Sequence, residues 1–154
     1  RRIALASKSA VTDFIGQRSL AVVGVSRSGK KFGNNAYREL KAKGYQLVPV
    51  HPEAEILEGD RCAKNLASLP APVGGVLIIV PPQQAEQVVQ EAAAAGIKRV
   101  WLQQGAESPA AIRLAESKGM SVVSGECILM FAEPAGFGHR AHRWIKGLFG
   151  GLPK

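Results

Sequence analysis

Residues 20–52 read LAVVGVSRSGKKFGNNAYRELKAKGYQLVPVHP. An apolar run, Leu20–Val25, leads into a glycine-rich basic segment, Gly24 to Asn34. A helical pattern follows over Asn34–Lys43, with Tyr37 and Leu40 on one face, and a second apolar run closes the stretch at Tyr45–Val50. Neither run alternates with polar residues, as expected of parallel strands covered on both faces. Strand, glycine loop, helix and strand in this order make one unit of a parallel α/β sheet.

The same alternation continues outward. Further strands are expected at Val76–Val80, Val100–Gln103 and Ser121–Val123. A helix over Gln83–Ala95 places Ala85, Val88, Val89 and Ala92 on one stripe. Ser108 and Pro109 read as N-cap and first helical residue of a helix ending at Ser117. Gly44, Gly96 and Gly119 each follow a helix and are expected as left-handed C-caps, and Gly16 similarly ends a short N-terminal helical piece. The crossover His51–Gly75 is the least regular, with a short helix expected around Asn65–Ala67. The pattern predicts a Rossmann-like, doubly wound parallel sheet of five strands in one domain over residues 1–134. Residues 135–154 form a separate basic element: His139–Leu148 sets Ala141, Trp144, Ile145 and Leu148 on the apolar side of a short amphipathic helix, expected to dock on protein.

Of 154 residues, 46% are hydrophobic, enough for a sizeable core. No apolar run reaches the roughly 18 residues that a membrane span needs, and the N-terminal stretch lacks the apolar core of a signal peptide. Two cysteines, Cys62 and Cys127, make no disulfide framework and suit a reducing cytoplasm. The net charge of +8 sits in residues 1–50, which carry ten Lys or Arg against Asp13 and Glu39; the remainder balances. A basic flank around the first strand and its loop suits an anionic ligand, with nucleic acid as the alternative.

Ligands of open α/β sheets bind beyond the carboxyl ends of the strands. After the first strand, Gly24 permits a tight turn, and Gly33 lets the helix start close to a ligand whose phosphates meet its free amides. Arg27, Lys30 and Lys31 add charge. The spacing matches neither the dinucleotide fingerprint G-x-G-x-x-G nor a Walker A loop. Valine at Gly33 is expected to abolish ligand binding in a folded protein, and valine at Gly96 to lower stability instead. The second strand ends in Val50-His51-Pro52, without the carboxylate that bonds the ribose of NAD.

These segments resemble the coenzyme A-binding domain family, which includes the N-terminal domain of the succinyl-CoA synthetase alpha subunit and small stand-alone bacterial proteins. The resemblance rests on Gly24-Val25-Ser26, Gly33-Asn34, Val50-His51-Pro52, Val80-Pro81-Pro82 and Trp101-Leu102-Gln103-Gln104-Gly105-Ala106, and covers roughly residues 13–134. It departs at His51, where the family more often has Asn. It implies that a CoA or acyl-CoA is held by Gly24, Val25, Ser26, Arg27, Lys30, Lys31, Gly33 and Asn34 at its phosphates. The adenine would lie between His51-Pro52 and Val80-Pro81, with Gln104 and Gly105 near the fourth strand. Cys127 reads either as a thiol beside that of CoA or as a small buried apolar residue.

No acid, base and nucleophile converge, and His51, His139 and His142 show no metal spacing with the cysteines. The reading is a cytoplasmic, homodimeric, non-catalytic CoA-binding protein. A nicotinamide-dependent oxidoreductase, an acyl-CoA synthetase subunit and a nucleic-acid-associated regulator stand as its alternatives.

Overall fold

The structure, a computed structural model, describes residues 7–134. Helix α1 (Lys8–Ile15) precedes strand β1 (Ser19–Val23), helix α2 (Phe32–Ala42) and strand β2 (Gln46–Val50). A small hairpin follows, β3 (Ile56–Leu57) and β4 (Asp60–Arg61), then a 3-10 turn at Leu66–Ser68. The chain ends in β5 (Gly75–Ile78), α3 (Pro82–Ala94), β6 (Arg99–Gln103), α4 (Pro109–Ser117) and β7 (Ser121–Glu126), with a last 3-10 turn at Ile128–Met130.

Five strands form one parallel sheet in the order β2-β1-β5-β6-β7. The expected α/β, Rossmann-like architecture is present as a single small domain. Beyond β2, where the full doubly wound sheet carries a third strand, the chain makes a single parallel bridge. The Ala63 amide donates to the Pro49 carbonyl and the His51 amide to that of Ala63, each at 2.9 Å. The hairpin β3–β4 lies in the same crossover, ahead of Ala63, and nothing in the hydrophobic pattern announced it.

Successive residues of each strand serve opposite cores. Leu20 and Val22 of β1, Leu77 of β5, Trp101 of β6 and Val123 of β7 pack with Val11 and Phe14 of α1 and Tyr37 and Leu40 of α2. Ala21, Val76, Ile78, Val100 and Leu102 face α3 and α4. The stripe Ala85, Val88, Val89 and Ala92 is the buried face of α3, as its period requires. Tyr37 is fully buried; its hydroxyl donates to Asp60 at 2.6 Å, and burial, with Asp60 beside it, pushes its pKa far up.

Ser108 caps α4, its hydroxyl accepting from the Ala111 amide at 3.0 Å. Gly44, Gly96 and Gly119 take the positive φ of left-handed caps. Gly16 does not: its φ is −73°, so α1 stops in right-handed backbone, with the Gly16 amide still bonded to the Thr12 carbonyl. The helix expected over His139–Leu148, with Trp144, lies outside the described residues. Among the described residues no helix is long and apolar enough to cross a membrane.

Candidate functional site

The strand order reverses between β1 and β5, because β1 leads to β2 on one side and β5 to β6 on the other. A cleft of about 740 Å³ opens there, at the carboxyl ends of the strands. Two glycines create its floor. Gly24 leaves β1 at φ +125°, and a Cβ on it would run into the Ile79 carbonyl of the adjoining strand exit. Gly33, in the first turn of α2, is buried against the Gly24 backbone, where a Cβ would meet the Gly24 carbonyl. Gly33 therefore serves the packing of α2 on the strand exit. The expectation that valine at Gly33 leaves a folded protein is corrected: the side chain would displace backbone from backbone.

The N-termini of α2 and α3 both border the cleft, through Phe32, Gly33 and Pro81. Neither has a side-chain cap, whereas α1 and α4 are capped by Ser7 and Ser108. Uncapped amides and the positive ends of two helix dipoles thus face one opening, a setting that favours an anion. Arg27 and Lys31 lie in the wall, and none of the lining residues is acidic.

Of the residues singled out from sequence, Gly24, Val25, Ser26, Arg27, Lys31, Gly33, His51, Val80, Pro81, Gln104 and Gly105 lie around this cleft. Lys30, Asn34 and Pro52 are not part of its wall. Asn34 is buried, 1% exposed, with its amide committed to neighbouring chain, so it supports the loop from behind. Phe32, Ile79, Gln84, Gln103 and Ala106 also line the cleft; Gln103 and Ala106 stand in the Trp101–Ala106 segment of the resemblance, but none of the five was assigned to the ligand. Phe32 and Gln84 stand in the first turns of α2 and α3, a position that could have flagged them. Buried Gln103 could not be distinguished from a core residue; its Oε1 accepts from the Ile128 amide at 3.0 Å.

His51 replaces the Asn of the family pattern in a definite way. Its Nδ1 accepts from the Glu53 and Ala54 amides, both at 3.0 Å. An Asn oxygen performs this task in an Asx turn. Because Nδ1 is the acceptor, the neutral ring carries its proton on Nε2. His51→Asn should therefore melt within about 2 °C of the parent protein. His51→Ala, which removes the acceptor from two amides, should lose about 1 kcal/mol, or roughly 2–4 °C. Equal melting temperatures for the alanine and asparagine variants would refute this account of the turn.

The basic first 50 residues are only partly available to a ligand. Arg18 donates to the carbonyls of Glu133 and Lys43 and lies 3.7 Å over the Tyr45 ring. Lys43 donates to the Ala132 carbonyl, and Arg38 and Lys41 pair with Glu58 and Asp60. Arg27 meets Glu53 at 3.2 Å on the exposed rim, where such a pair is weak. Gly105 has its amide occupied by Glu107, at 2.8 Å. Cys127 is half-buried at the exit of β7 and does not line the cleft. Among the described residues no group of His, Cys, Asp or Glu could hold a metal ion. A second depression, about 690 Å³, lies at the opposite, amino end of the sheet, between the 70–73 loop and the end of α3. It is away from the strand carboxyl ends.

The chain is similar to several known proteins. The chain is 26% identical over 126 residues to the alpha subunit of ADP-forming acetate–CoA ligase II from Pyrococcus furiosus, covering 75% of this chain but 28% of that subunit. It therefore spans about a quarter of that relative's length. The uncharacterized protein YneT of Bacillus subtilis is 26% identical over 79% of this chain and 91% of its own. Among solved structures, a conserved hypothetical protein from Pyrococcus furiosus superposes with TM-score 0.69 at 38% identity, covering 73% of this chain and 97% of that one. The dinucleotide-forming acetyl-coenzyme A synthetase 1 of Ca. Korarchaeum cryptofilum superposes with TM-score 0.60 at 29% identity, over 68% of this chain and 25% of the synthetase. The profile of the CoA binding domain matches residues 18–133, and with it the strand exits that build the cleft: the chain belongs to the CoA-binding domain family.

Proposed function

We propose that this domain binds coenzyme A or an acyl-CoA without itself catalysing a reaction. The phosphates would rest on the loop from Gly24 to Gly33 and the adenine beside His51, Val80 and Pro81. The observation that carries this reading is the cleft wall: two uncapped helix N-termini, Arg27 and Lys31, and no carboxylate. CoA brings a pyrophosphate and a 3′-phosphate, roughly three to four negative charges at neutral pH. The absence of an acid at the end of β2 argues against NAD, whose ribose hydroxyls call for one. Val80 and Pro81 offer an apolar edge to the base or the pantetheine arm. The two free thiols accord with a reducing, cytoplasmic setting, and a homodimer belongs to the same reading, with light scattering as its check.

A second reading has its own support. Similarity to one part of an ADP-forming ligase subunit suits a CoA-holding component of an acyl-CoA synthetase completed by other chains.

Thermal melts with CoA and with NAD test the first reading. A ligand present at a hundred times its dissociation constant stabilises by about 2.7 kcal/mol, roughly a 5–10 °C rise for a domain of this size. CoA should give that rise and NAD at equal concentration a smaller one. A larger rise with NAD than with CoA overturns the proposal.

A further inference from the structure

We propose that Glu58, at the tip of the β3–β4 hairpin, is a positioning residue that holds the anion loop in shape through Asn34 and Arg38. This rests on reading that loop as the ligand's phosphate site.

The hairpin turn is Glu58-Gly59, and both residues have positive φ, +51° and +83°, as a two-residue type I′ turn requires. Glu58 is the one non-glycine residue with positive φ among the described residues. Asn is much the better residue for that backbone, so local turn chemistry gives no reason for a glutamate here. Its reason lies in α2, behind the loop. One carboxylate oxygen, Oε2, accepts from Asn34 Nδ2 and from the Arg38 guanidinium, each at 2.8 Å.

Each partner is a strut to the loop. Asn34 Oδ1 accepts from the Ser26 amide at 3.1 Å and from its hydroxyl at 2.7 Å, while Nδ2 also donates to the Ser26 carbonyl at 2.8 Å. Arg38 donates to the Gly29 carbonyl at 3.3 Å. Ser26 passes the constraint on: its hydroxyl lies 2.9 Å from that of Ser28, which accepts from the Lys30 amide at 3.2 Å. A carboxylate can only accept. Glu58 thereby selects the orientation of the buried Asn34 amide, with Nδ2 toward the hairpin and Oδ1 toward the Ser26 N–H. The opposite orientation would set an amide oxygen against the carboxylate and an NH₂ against the Ser26 amide. The hydrogen bond from Asn34, with Arg38 and Lys41 nearby, holds the Glu58 carboxyl below the usual carboxylate range, so it is ionised at neutral pH. A hairpin outside the main sheet, unlike a covering loop, thus fixes the loop from behind and leaves the cleft open.

The test compares Glu58→Asn and Glu58→Gln with the parent protein by melting, by amide hydrogen exchange at Ser26, and by calorimetric titration with CoA. Asparagine suits the turn but cannot reach Asn34. The expected result is an unchanged or higher melting temperature, exchange at the Ser26 amide about tenfold to a hundredfold faster, and CoA affinity lowered by about tenfold. Glutamine keeps an acceptor for Asn34 and should fall between. Ser26 exchange that is unaltered in the folded Glu58→Asn variant overturns the proposal. So does a loss of protection spread evenly over β1 with a lower melting temperature, since that marks a general stabilising role. If the parent protein does not bind CoA while Ser26 exchange still depends on Glu58, the positioning role stands and the CoA reading fails.

Discussion

Replacing Gly33 by alanine should destabilise the protein by about 3 kcal/mol or more, lowering its melting temperature by roughly 6–12 °C. The added methyl meets the carbonyl oxygen and carbon of Gly24, which are main chain and already set against Ile79. Neither backbone can give way without moving α2 or β5. Gly24→Ala should be as costly, because φ +125° strains any side chain and the Ile79 carbonyl blocks it as well. Gly96→Ala is the control. Its φ is +79°, but nothing lies within 4 Å of the new Cβ, so only the left-handed backbone cost of about 1–2 kcal/mol applies. Chemical denaturation of the three variants reads this ranking. If Gly96→Ala proved the most damaging, close packing of α2 on the β1 exit would not be what Gly33 is for.

Trp101→Ala should be comparably severe, about 3–5 kcal/mol. Trp101 is fully buried in the middle of β6, edge-on to Phe14 at 5.3 Å and tilted against Phe131 at 6.0 Å. Its side chain thus joins α1 and the last 3-10 turn to the sheet, and its Nε1 donates to the Glu126 carbonyl at 2.9 Å. That carbonyl also receives the Gln104 amide, so Trp101 braces the strand exits that carry Gln103 and Gln104 into the cleft. Trp101→Phe keeps most of the ring and loses one hydrogen bond, for a loss nearer 1–2 kcal/mol. Equal losses for the two variants would show that the indole N–H, not the ring packing, holds this corner.

The lines of the fold that could be read from the chain are those encoded over short distances. Parallel strands covered on both faces appear as unbroken apolar runs, and the buried stretches of β1, β5 and β6 do, at Leu20–Val22, Val76–Ile78 and Val100–Leu102; the edge strands β2 and β7 are less buried, and β7 keeps only Val122 and Val123 as an apolar pair. The period of α3 and the Ser108-Pro109 cap of α4 act within one or two turns, so neighbouring residues record them. The β3–β4 hairpin escaped because two-residue strands have no period to detect, and its turn carries Glu where Asn is usual.

The site divides along the same line. Chain order alone sets a glycine-rich, basic loop between the first strand and the first helix, and a second strand ending without an acid. Both are properties of adjacent residues. Which groups remain free to meet a ligand depends on contacts made by the folded chain. Arg38 and Lys41 are engaged by the carboxylates of Glu58 and Asp60, Asn34 is taken up by Ser26 and Glu58, and Gly33 is pressed against Gly24. Those partners lie 8 to 24 residues away in the chain. A buried donor or acceptor must find a partner wherever packing brings one, and no local pattern records which partner that is.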